Sequence, residues 1–392
     1  MSSKRLGFVS ARSAYLLPDG GVMLDPGVGR ILEVLRTRYA ALTVAMSTSP
    51  APIAMNTHRL SRDARFLPMP FLTGVREGVF QARGCHAVIR EVERASDAVV
   101  VQLPFASPAA LLLARKPRVY HLCGDTREVA RITGGYGGMG QIAARAAGEA
   151  IDVFNRGLFR WPRTRAVSNG AAMLEHYGLE SKGRAVVSST LLEAEIQSAR
   201  RTRPAHAPFR LIFVGYLRYE KGIDTLVEAF RRLRAEGRNV ELCFVGVRDT
   251  GDRGVSERVA SALAGFQAEG LVQFTGALPF GPALFAAYAE ADALLLPSLS
   301  EGTPRVLVEA RAFGCPVIAS NVGGVPTSVT DGVDGLLVPR GDAEALARAV
   351  ARLMEDAGLR QRLIEGGLRR ARACTVEAFA NTMADEIDLA AS

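Results

Sequence analysis

Apolar runs alternate with helical patterns through the first half of the chain. The apolar runs, which predict strands, cover residues 5–11, 42–47, 98–105, 118–124 and 165–168. Their nearly continuous apolar character favours parallel strands covered on both faces. Helical spacing of apolar residues marks 28–40 and 108–116 between them. This alternation predicts a doubly wound α/β domain.

A polar, arginine-rich segment with two prolines, residues 197–210, interrupts the pattern and reads as a linker. The alternation then restarts, with strands at 211–217, 240–247, 272–276, 293–298 and 316–321 and helices at 223–237, 256–270, 342–356 and 375–390. We therefore predict two Rossmann-like doubly wound domains, 1–199 and 206–372, facing each other across a cleft. Residues 373–392 are expected to form a helix that packs back on the first domain. Ligands of open α/β sheets bind outside the carboxyl ends of the strands.

Composition and charge narrow the class of protein. The 392 residues are 48% hydrophobic and 22% charged, which is typical of a globular chain. Five scattered cysteines form no C-x-x-C pair, so neither a disulfide framework nor a zinc site is indicated. No apolar run is long enough for a signal peptide or a membrane span, and we expect a cytoplasmic protein. The net charge is +8, and the positive excess lies in the first half of the chain. Residues 1–200 contain 26 Lys+Arg and 16 Asp+Glu, whereas residues 201–392 contain 22 Lys+Arg and 24 Asp+Glu.

Two glutamates separated by seven residues stand out in the segment 298–324, "SLSEGTPRVLVEARAFGCPVIASNVGG". Glu301 precedes a helix for which Pro304 suits the first position, and Glu309 lies about 7–8 Å further along the axis at 1.5 Å per residue. A helix N-terminus that follows a loop of small residues favours anions. A ligand with a central phosphate and hydroxyls at both ends, such as a sugar nucleotide, fits this arrangement.

A second cluster, "VGYLRYEKG" at 214–222, places Arg218 and Lys221 after a predicted strand. Two cations at strand ends could bind a diphosphate and stabilise the negative charge of a leaving group. The chain contains no D-x-D pair, so no cofactor and no essential metal are expected.

Most of residues 211–340 resembles the GT-B retaining glycosyltransferases of family 4. The resemblance rests on "VGYLRYEKGIDTLVEAF", "VQFTGALP" and the segment from "ADALLLPS" to "DGLLVP". It implies transfer of a sugar from a nucleotide donor with retention of anomeric configuration and without an essential metal. It also implies that Glu309 binds the ribose hydroxyls, Glu301 the transferred sugar and Lys221 the diphosphate. Backbone groups of Gly302, Thr303, Pro304 and Arg305 would surround the sugar and phosphates, with an N–H donor at each of these residues except Pro304.

Three positions depart from the family pattern. Tyr216 stands directly after Gly215, where the family has a basic residue, and Arg218 is the candidate replacement. Thr327 stands where many members have a glutamate. The usual "PNG" is replaced by "VVSST" at 186–190.

The resemblance is weaker in the first half. His121 matches the position of a family histidine near the reacting sugar. The pair Gly20–Gly21 and the segment 25–29 precede the first helix, where the family brings a glycine loop close to the donor phosphates.

The sequence therefore predicts a retaining glycosyltransferase that uses a nucleotide-sugar donor, with UDP-sugars favoured by their frequency in the family. The acceptor would be a carbohydrate, a lipid-linked group or a small molecule. A sugar-nucleotide 2-epimerase and a non-catalytic sugar-nucleotide-binding subunit are the alternatives. No motif supports nucleic-acid binding. The basic first domain, with Phe159 and Trp161 among four arginines at 156–165, is compatible with peripheral contact at the inner face of the cell membrane.

Overall fold

The computed structural model describes residues 2–53, 56–72, 75–105, 116–124, 127, 139–187, 189–197, 208–247 and 254–392. The predicted helix at 108–116 lies almost wholly outside these residues, and so does most of the predicted linker at 197–210. Contacts divide the chain into two units, residues 1–186 with 376–392 and residues 187–375. Among the described residues, no helix combines the length and the apolar character needed to cross a membrane.

The first unit is built on a parallel sheet with the strand order β5-β3-β1-β6-β7-β8-β9. Its strands are β1 Ser2–Leu16, β2 Val22–Leu24, β3 Tyr39–Ser49, β4 His58–Arg59, β5 Arg65–Met69, β6 Ala98–Leu103, β7 Arg118–Leu122, β8 Thr164–Asn169 and β9 Gly183–Val186. The end of β1 pairs with β2 in an antiparallel hairpin, and β4 continues it. The helices are α1 Pro26–Arg36, α2 Val75–Phe80, α3 Ala82–Ala95, α4 Met139–Phe159 and α5 Ala172–Tyr177.

Helix α1 is shorter than the pattern predicted. It begins after Asp25, whose carboxylate accepts from the N–H groups of Gly27 and Val28, and it ends at Arg36 rather than at residue 40. Tyr39 already belongs to β3, because its buried ring continues the strand and not the helix. The prediction of the helix end was therefore wrong by one turn.

A C-terminal helix, α14 Val376–Ala391, packs on the first unit. Phe379, Met383 and Ile387 recur every fourth residue and are buried, which gives the helix one apolar face. The ring of Phe379 lies 4.9 Å from that of His121 on β7, and Glu386 pairs with Arg165 on β8. The last helix of the chain thus covers strands near the first unit's centre.

The second unit contains a sheet whose six strands are all parallel, in the order β12-β11-β10-β13-β14-β15. The strands are β10 Phe209–Val214, β11 Val240–Val245, β12 Val272–Gly276, β13 Ala293–Leu296, β14 Val317–Ser320 and β15 Leu336–Val338. The helices are α6 Glu193–Gln197, α7 Ile223–Ala235, α8 Val255–Ala268, α9 Pro282–Glu290, α10 Arg305–Ala312, α11 Val325–Ser328, α12 Ala343–Glu355 and α13 Ala357–Arg372. Leu211 and Phe213 face one apolar cluster and Ile212 the other, so both sheet faces are covered.

Two details of the second unit differ from the pattern. Helix α13 was not predicted: it follows α12 directly because the Asp356 carboxylate accepts from the N–H of Leu359 and starts a new helix. The second unit also begins at residue 187, before the predicted linker. Leu191 and Ile196 are buried in its core, which explains why this stretch groups with the second unit.

Candidate functional site

The sheet of the second unit has its topological switch point between β10 and β13. Successive strands β10, β11 and β12 extend to one side, and β13, β14 and β15 extend to the other. Open α/β sheets bind ligands where the strand order reverses, outside the carboxyl ends of the strands. The two segments singled out in the sequence follow β10 and β13 and therefore lie side by side at this point.

The two loops approach each other through backbone atoms. The N–H of Leu299 donates to the carbonyl of Glu220 at 2.7 Å. Gly222 has a φ of +65°, and a Cβ there would lie 1.9 Å from the carbonyl oxygen of Pro297. Only glycine allows this approach, which fixes the spacing between the loops.

Lys221 and Glu301 meet across this junction. Lys221 Nζ lies 2.6 Å from Glu301 Oε1, and the hydroxyl of Ser298 donates to the same oxygen at 2.7 Å. The Glu301 side chain is 9% exposed and that of Lys221 27% exposed, so the pair is accessible from one side. The structure thus places a cation and a carboxylate, 80 residues apart in sequence, within one contact.

The loop from Glu301 to Pro304 packs against the backbone of two adjacent glycines, Gly323 and Gly324. The N–H of Gly324 donates to the carbonyl of Glu301 at 3.2 Å. At Gly323, with a φ of +49°, a Cβ would lie 1.9 Å from that same carbonyl oxygen. The pair at the start of α11 therefore holds the loop that carries Glu301.

Helix α10 begins at Arg305, one residue later than predicted, and Pro304 is its N-cap. Within the described part of the chain, no side chain caps this terminus. Gly302 is exposed, and Thr303 and Arg305 are partly exposed, so the entry to the helix is open to solvent. First-turn N–H groups there can donate to an anion.

Tyr216 and Arg218 form a cation–π pair beside this site. Arg218 Cζ lies 5.2 Å from the ring centroid of Tyr216, which is 43% exposed. Gly215 directly follows β10 and has a φ of +151°, and a Cβ in that conformation would be unfavourable. The N–H of Lys221 donates to the carbonyl of Arg218 at 3.1 Å. The turn therefore brings both cations of this segment to the same end of the sheet.

Glu309 is buried inside α10 and has two protein partners. Tyr288 on α9 donates its hydroxyl to Oε2 at 2.9 Å, and Thr190 donates to Oε1 at 3.2 Å. Burial raises the pKa of Glu309 above its ordinary value, while both hydroxyls and the charge of Arg305 act in the opposite direction. Sequence reasoning missed Tyr288 and Thr190. The available signals were a tyrosine in a helix that is otherwise apolar up to its last residue, Glu290, and the "VVSST" departure.

His121 lies at the end of β7 in the first unit, 4% exposed. The backbone N–H of Arg12 donates to the Ser10 hydroxyl, which donates to Gln102 Oε1 at 2.7 Å. The Gln102 amide nitrogen therefore faces His121 Nδ1, at 3.5 Å, and also donates to Cys123 Sγ at 3.2 Å. Nε2 lies 3.4 Å from Oδ1 of the Asn169 side chain. Ser10, Gln102 and Asn169 follow no motif, and sequence reasoning did not find them.

Gly20 and Gly21 form the turn of the β1–β2 hairpin. The N–H of Gly20 donates to the carbonyl of Leu17, and Gly20 has a φ of +79°. A Cβ on Gly21 would lie 2.6 Å from the Arg59 guanidinium, which pairs with Asp19. The glycines thus form a hairpin turn, and the segment 25–29 contains the N-cap Asp25 and the start of α1.

Of the two aromatics at 156–165, one is in the core. Phe159 is 4% exposed and packs edge-on against Tyr120. Trp161 is 38% exposed, and the guanidinium of Arg118 lies 5.7 Å from its ring centroid. The segment therefore presents one aromatic ring to solvent.

In α11, the Thr327 hydroxyl donates to the carbonyl of Gly324 at 2.7 Å, so this departure from the family pattern closes a helical turn.

Residues 196–370, which contain the Lys221–Glu301 pair, match the family model described as "Glycosyl transferases group 1". This match covers 175 of the 392 residues, from residue 196 to residue 370. Among curated proteins, the chain is 35% identical over 156 residues to the amylovoran biosynthesis glycosyltransferase AmsK of Erwinia amylovora, covering 38% of this chain and 37% of that protein. The chain spans about two fifths of the length of the curated relatives it matches.

Solved glycosyltransferases share the fold over nearly the whole chain. A glycosyltransferase of Rickettsia africae has a TM-score of 0.72 at 15% identity, covering 100% of this chain and 99% of that one. Anabaena Alr3699/HepE, solved in complex with UDP, has a TM-score of 0.70 at 18% identity, covering 98% and 100%. The prediction of a GT-B fold with two α/β domains of parallel strands is confirmed.

Proposed function

We propose that this chain is a retaining, metal-independent glycosyltransferase of family 4. It would move a sugar from a nucleoside-diphosphate donor to an acceptor hydroxyl in glycan or glycoconjugate biosynthesis. The observation that carries the proposal is the contact of Lys221 with Glu301 at the switch point of the sheet, inside the segment that matches the family model. We favour UDP as the nucleotide, and the UDP complex of the Anabaena protein with the same fold supports this choice.

The donor diphosphate would lie over the N-terminus of α10. Lys221 and Arg218 supply positive charge on one side, and the first-turn N–H groups supply donors on the other. Gly302, Thr303, Pro304 and Arg305 would surround the sugar and phosphates with backbone atoms. Gly215 and Tyr216 would border the same space from β10.

The two glutamates would bind opposite ends of the donor. Glu301, held by Ser298 and Lys221, would accept hydrogen bonds from hydroxyls of the transferred sugar. Glu309 would accept from the ribose hydroxyls. Cleavage would break the bond between the anomeric carbon and the β-phosphate oxygen, and the acceptor oxygen would form its bond on the same face. The acceptor proton would pass to the leaving phosphate, so the step needs no separate base.

We propose that His121 contacts the transferred sugar as a neutral imidazole that donates from Nε2. The chain from Arg12 N–H through Ser10 and Gln102 to Nδ1 supports this tautomer. Gly20 and Gly21, in the turn of the β1–β2 hairpin, would contact the donor phosphates, as the resemblance implies. The excess of basic residues before residue 200 favours an anionic or lipid-linked acceptor and peripheral membrane contact.

A thermal-shift panel tests the proposal. UDP, GDP, ADP and dTDP, each with its common sugars, are added in EDTA to wild type, Glu309→Ala and the control Glu228→Ala, which changes an exposed glutamate on α7. A nucleotide at a hundred times its Kd should stabilise by about 2.7 kcal/mol, a shift of several degrees. We expect one series to stabilise wild type and the control but not Glu309→Ala. Absence of any shift would contradict the proposal.

A further inference from the structure

The Glu309 carboxylate is held from two directions by separate segments of the second unit. Tyr288 on α9 is fully buried, and Thr190, in the loop before α6, is 4% exposed. Their hydroxyls donate to different oxygens, Tyr288 to Oε2 and Thr190 to Oε1. The orientation of the carboxylate is therefore set by two donors that cannot easily move.

A carboxylate has about four acceptor positions, two on each oxygen. With one position on each oxygen taken by a protein hydroxyl, each oxygen keeps one for a ligand. Two adjacent hydroxyls on one ring are the donor set that matches this arrangement. A group with only one hydroxyl would leave one position of a buried carboxylate without a partner.

We propose that Tyr288 and Thr190 are positioning residues that set Glu309 to accept from both ribose hydroxyls, and that they make the site selective for ribonucleotides over 2′-deoxyribonucleotides. The inference deepens the proposed function and rests on Glu309 binding the donor ribose. Two further observations agree with it. Burial raises the pKa of Tyr288 well above its ordinary value, so this phenol remains a donor. Thr190 belongs to the segment in which this chain departs from the "PNG" of its family.

The cost of losing one hydroxyl should be large because the carboxylate is buried. Sites built to accept a hydrogen bond discriminate strongly against ligands that lack the donor. A hydrogen bond to a charged group sets the scale, and we expect UDP to bind about 10- to 100-fold more tightly than 2′-deoxy-UDP. When either positioning hydroxyl is removed, the carboxylate can rotate, and this ratio should fall.

The test measures Kd by calorimetry for the pairs UDP/dUDP, GDP/dGDP and ADP/dADP. The variants are Tyr288→Phe, Thr190→Val and the conservative Thr190→Ser. Ser189→Ala is the matched control, because its hydroxyl accepts from the N–H of Leu191 in the same loop and not from the glutamate. We expect the ratio of ribonucleotide affinity to deoxyribonucleotide affinity to fall at least about threefold in Tyr288→Phe and Thr190→Val. It should stay at the wild-type value in Thr190→Ser and Ser189→Ala.

The outcomes distinguish a failure of the inference from a failure of the proposed function. If Tyr288→Phe and Thr190→Val weaken the binding of the ribonucleotide and of its deoxyribonucleotide equally, the two residues have only a structural role and the positioning proposal is overturned. Wild-type binding without a preference for the ribonucleotide would overturn the selectivity, while the proposed function would stand. Wild type that binds none of the six nucleotides would contradict the proposed function itself, and the inference would fall with it.

Discussion

Replacing Glu301 by glutamine should separate nucleotide binding from turnover. In the structure Glu301 Oε1 accepts from Lys221 Nζ at 2.6 Å, and the Lys221 side chain is 27% exposed. A unit-charge pair at 4 Å has a Coulomb energy of about 4 kcal/mol at an effective dielectric constant of 20. Solvent screening of a partly exposed lysine reduces the net value to about 1 kcal/mol.

This value predicts the direction and the size of the binding effect. In the free protein the carboxylate competes with a diphosphate for the Lys221 ammonium. Removing its charge should therefore leave the UDP affinity unchanged or raise it by up to about fivefold, since 1.4 kcal/mol corresponds to a factor of ten. If Glu301 accepts a sugar hydroxyl more strongly in the transition state, turnover should fall about 10²- to 10³-fold.

The assay needs no acceptor. Calorimetry gives the Kd of UDP, and slow release of UDP from UDP-sugars into water gives turnover. Ser298→Ala is the control, because it removes a neutral donor to the same oxygen and keeps the ion pair. We expect its UDP affinity to stay within about twofold of wild type. A Glu301→Gln variant that binds UDP ten times more weakly, or turns over at the wild-type rate, would refute the reasoning.

Three further perturbations follow from the same site. Arg218→Ala should weaken UDP binding by about 1.5–3 kcal/mol, and adding Tyr216→Arg should restore it in calorimetry; an unaffected single variant would remove Arg218 from the site. Gly323→Ala should lower Tm more than Gly332→Ala, since both have positive φ but only the first would place its Cβ against a carbonyl; equal losses would contradict the packing. Burial raises the pKa of Glu309, so its carboxyl group binds a proton more tightly in the folded state than in the unfolded state. The contribution of this group to stability therefore falls as the pH rises past 4.5, the ordinary pKa of a glutamate. Glu309→Gln should therefore gain Tm relative to wild type between pH 4 and pH 8, and a relative loss over that range would contradict the sign.

Much of the second unit could be predicted because its signals are local. Buried parallel strands read as apolar runs, and the segments at 214–222 and 298–324 follow two of them directly. The contact of Lys221 with Glu301 shows that these two segments lie side by side at the switch point of the sheet, which the strand pattern alone did not predict. Helix α13 was missed because a new helix starts at Asp356 without an intervening loop.

Side-chain contacts between residues far apart in the chain could not be predicted from the sequence. Nothing in the pattern connects Thr190 or Tyr288 to Glu309, since these partners lie 119 and 21 residues away. In the first unit, the approach of Gly20 and Gly21 to the donor phosphates stays a prediction. Their place in the turn between the antiparallel strands β1 and β2 was not predicted, because that pairing depends on tertiary packing.

A crystal structure with the nucleoside diphosphate selected by the thermal-shift panel tests the central claim most directly. We expect the diphosphate within hydrogen-bond distance of Lys221 and the N-terminus of α10, and both ribose hydroxyls on the carboxylate of Glu309. A nucleotide bound away from the switch point of β10 and β13, or one whose ribose does not contact Glu309, would contradict the account.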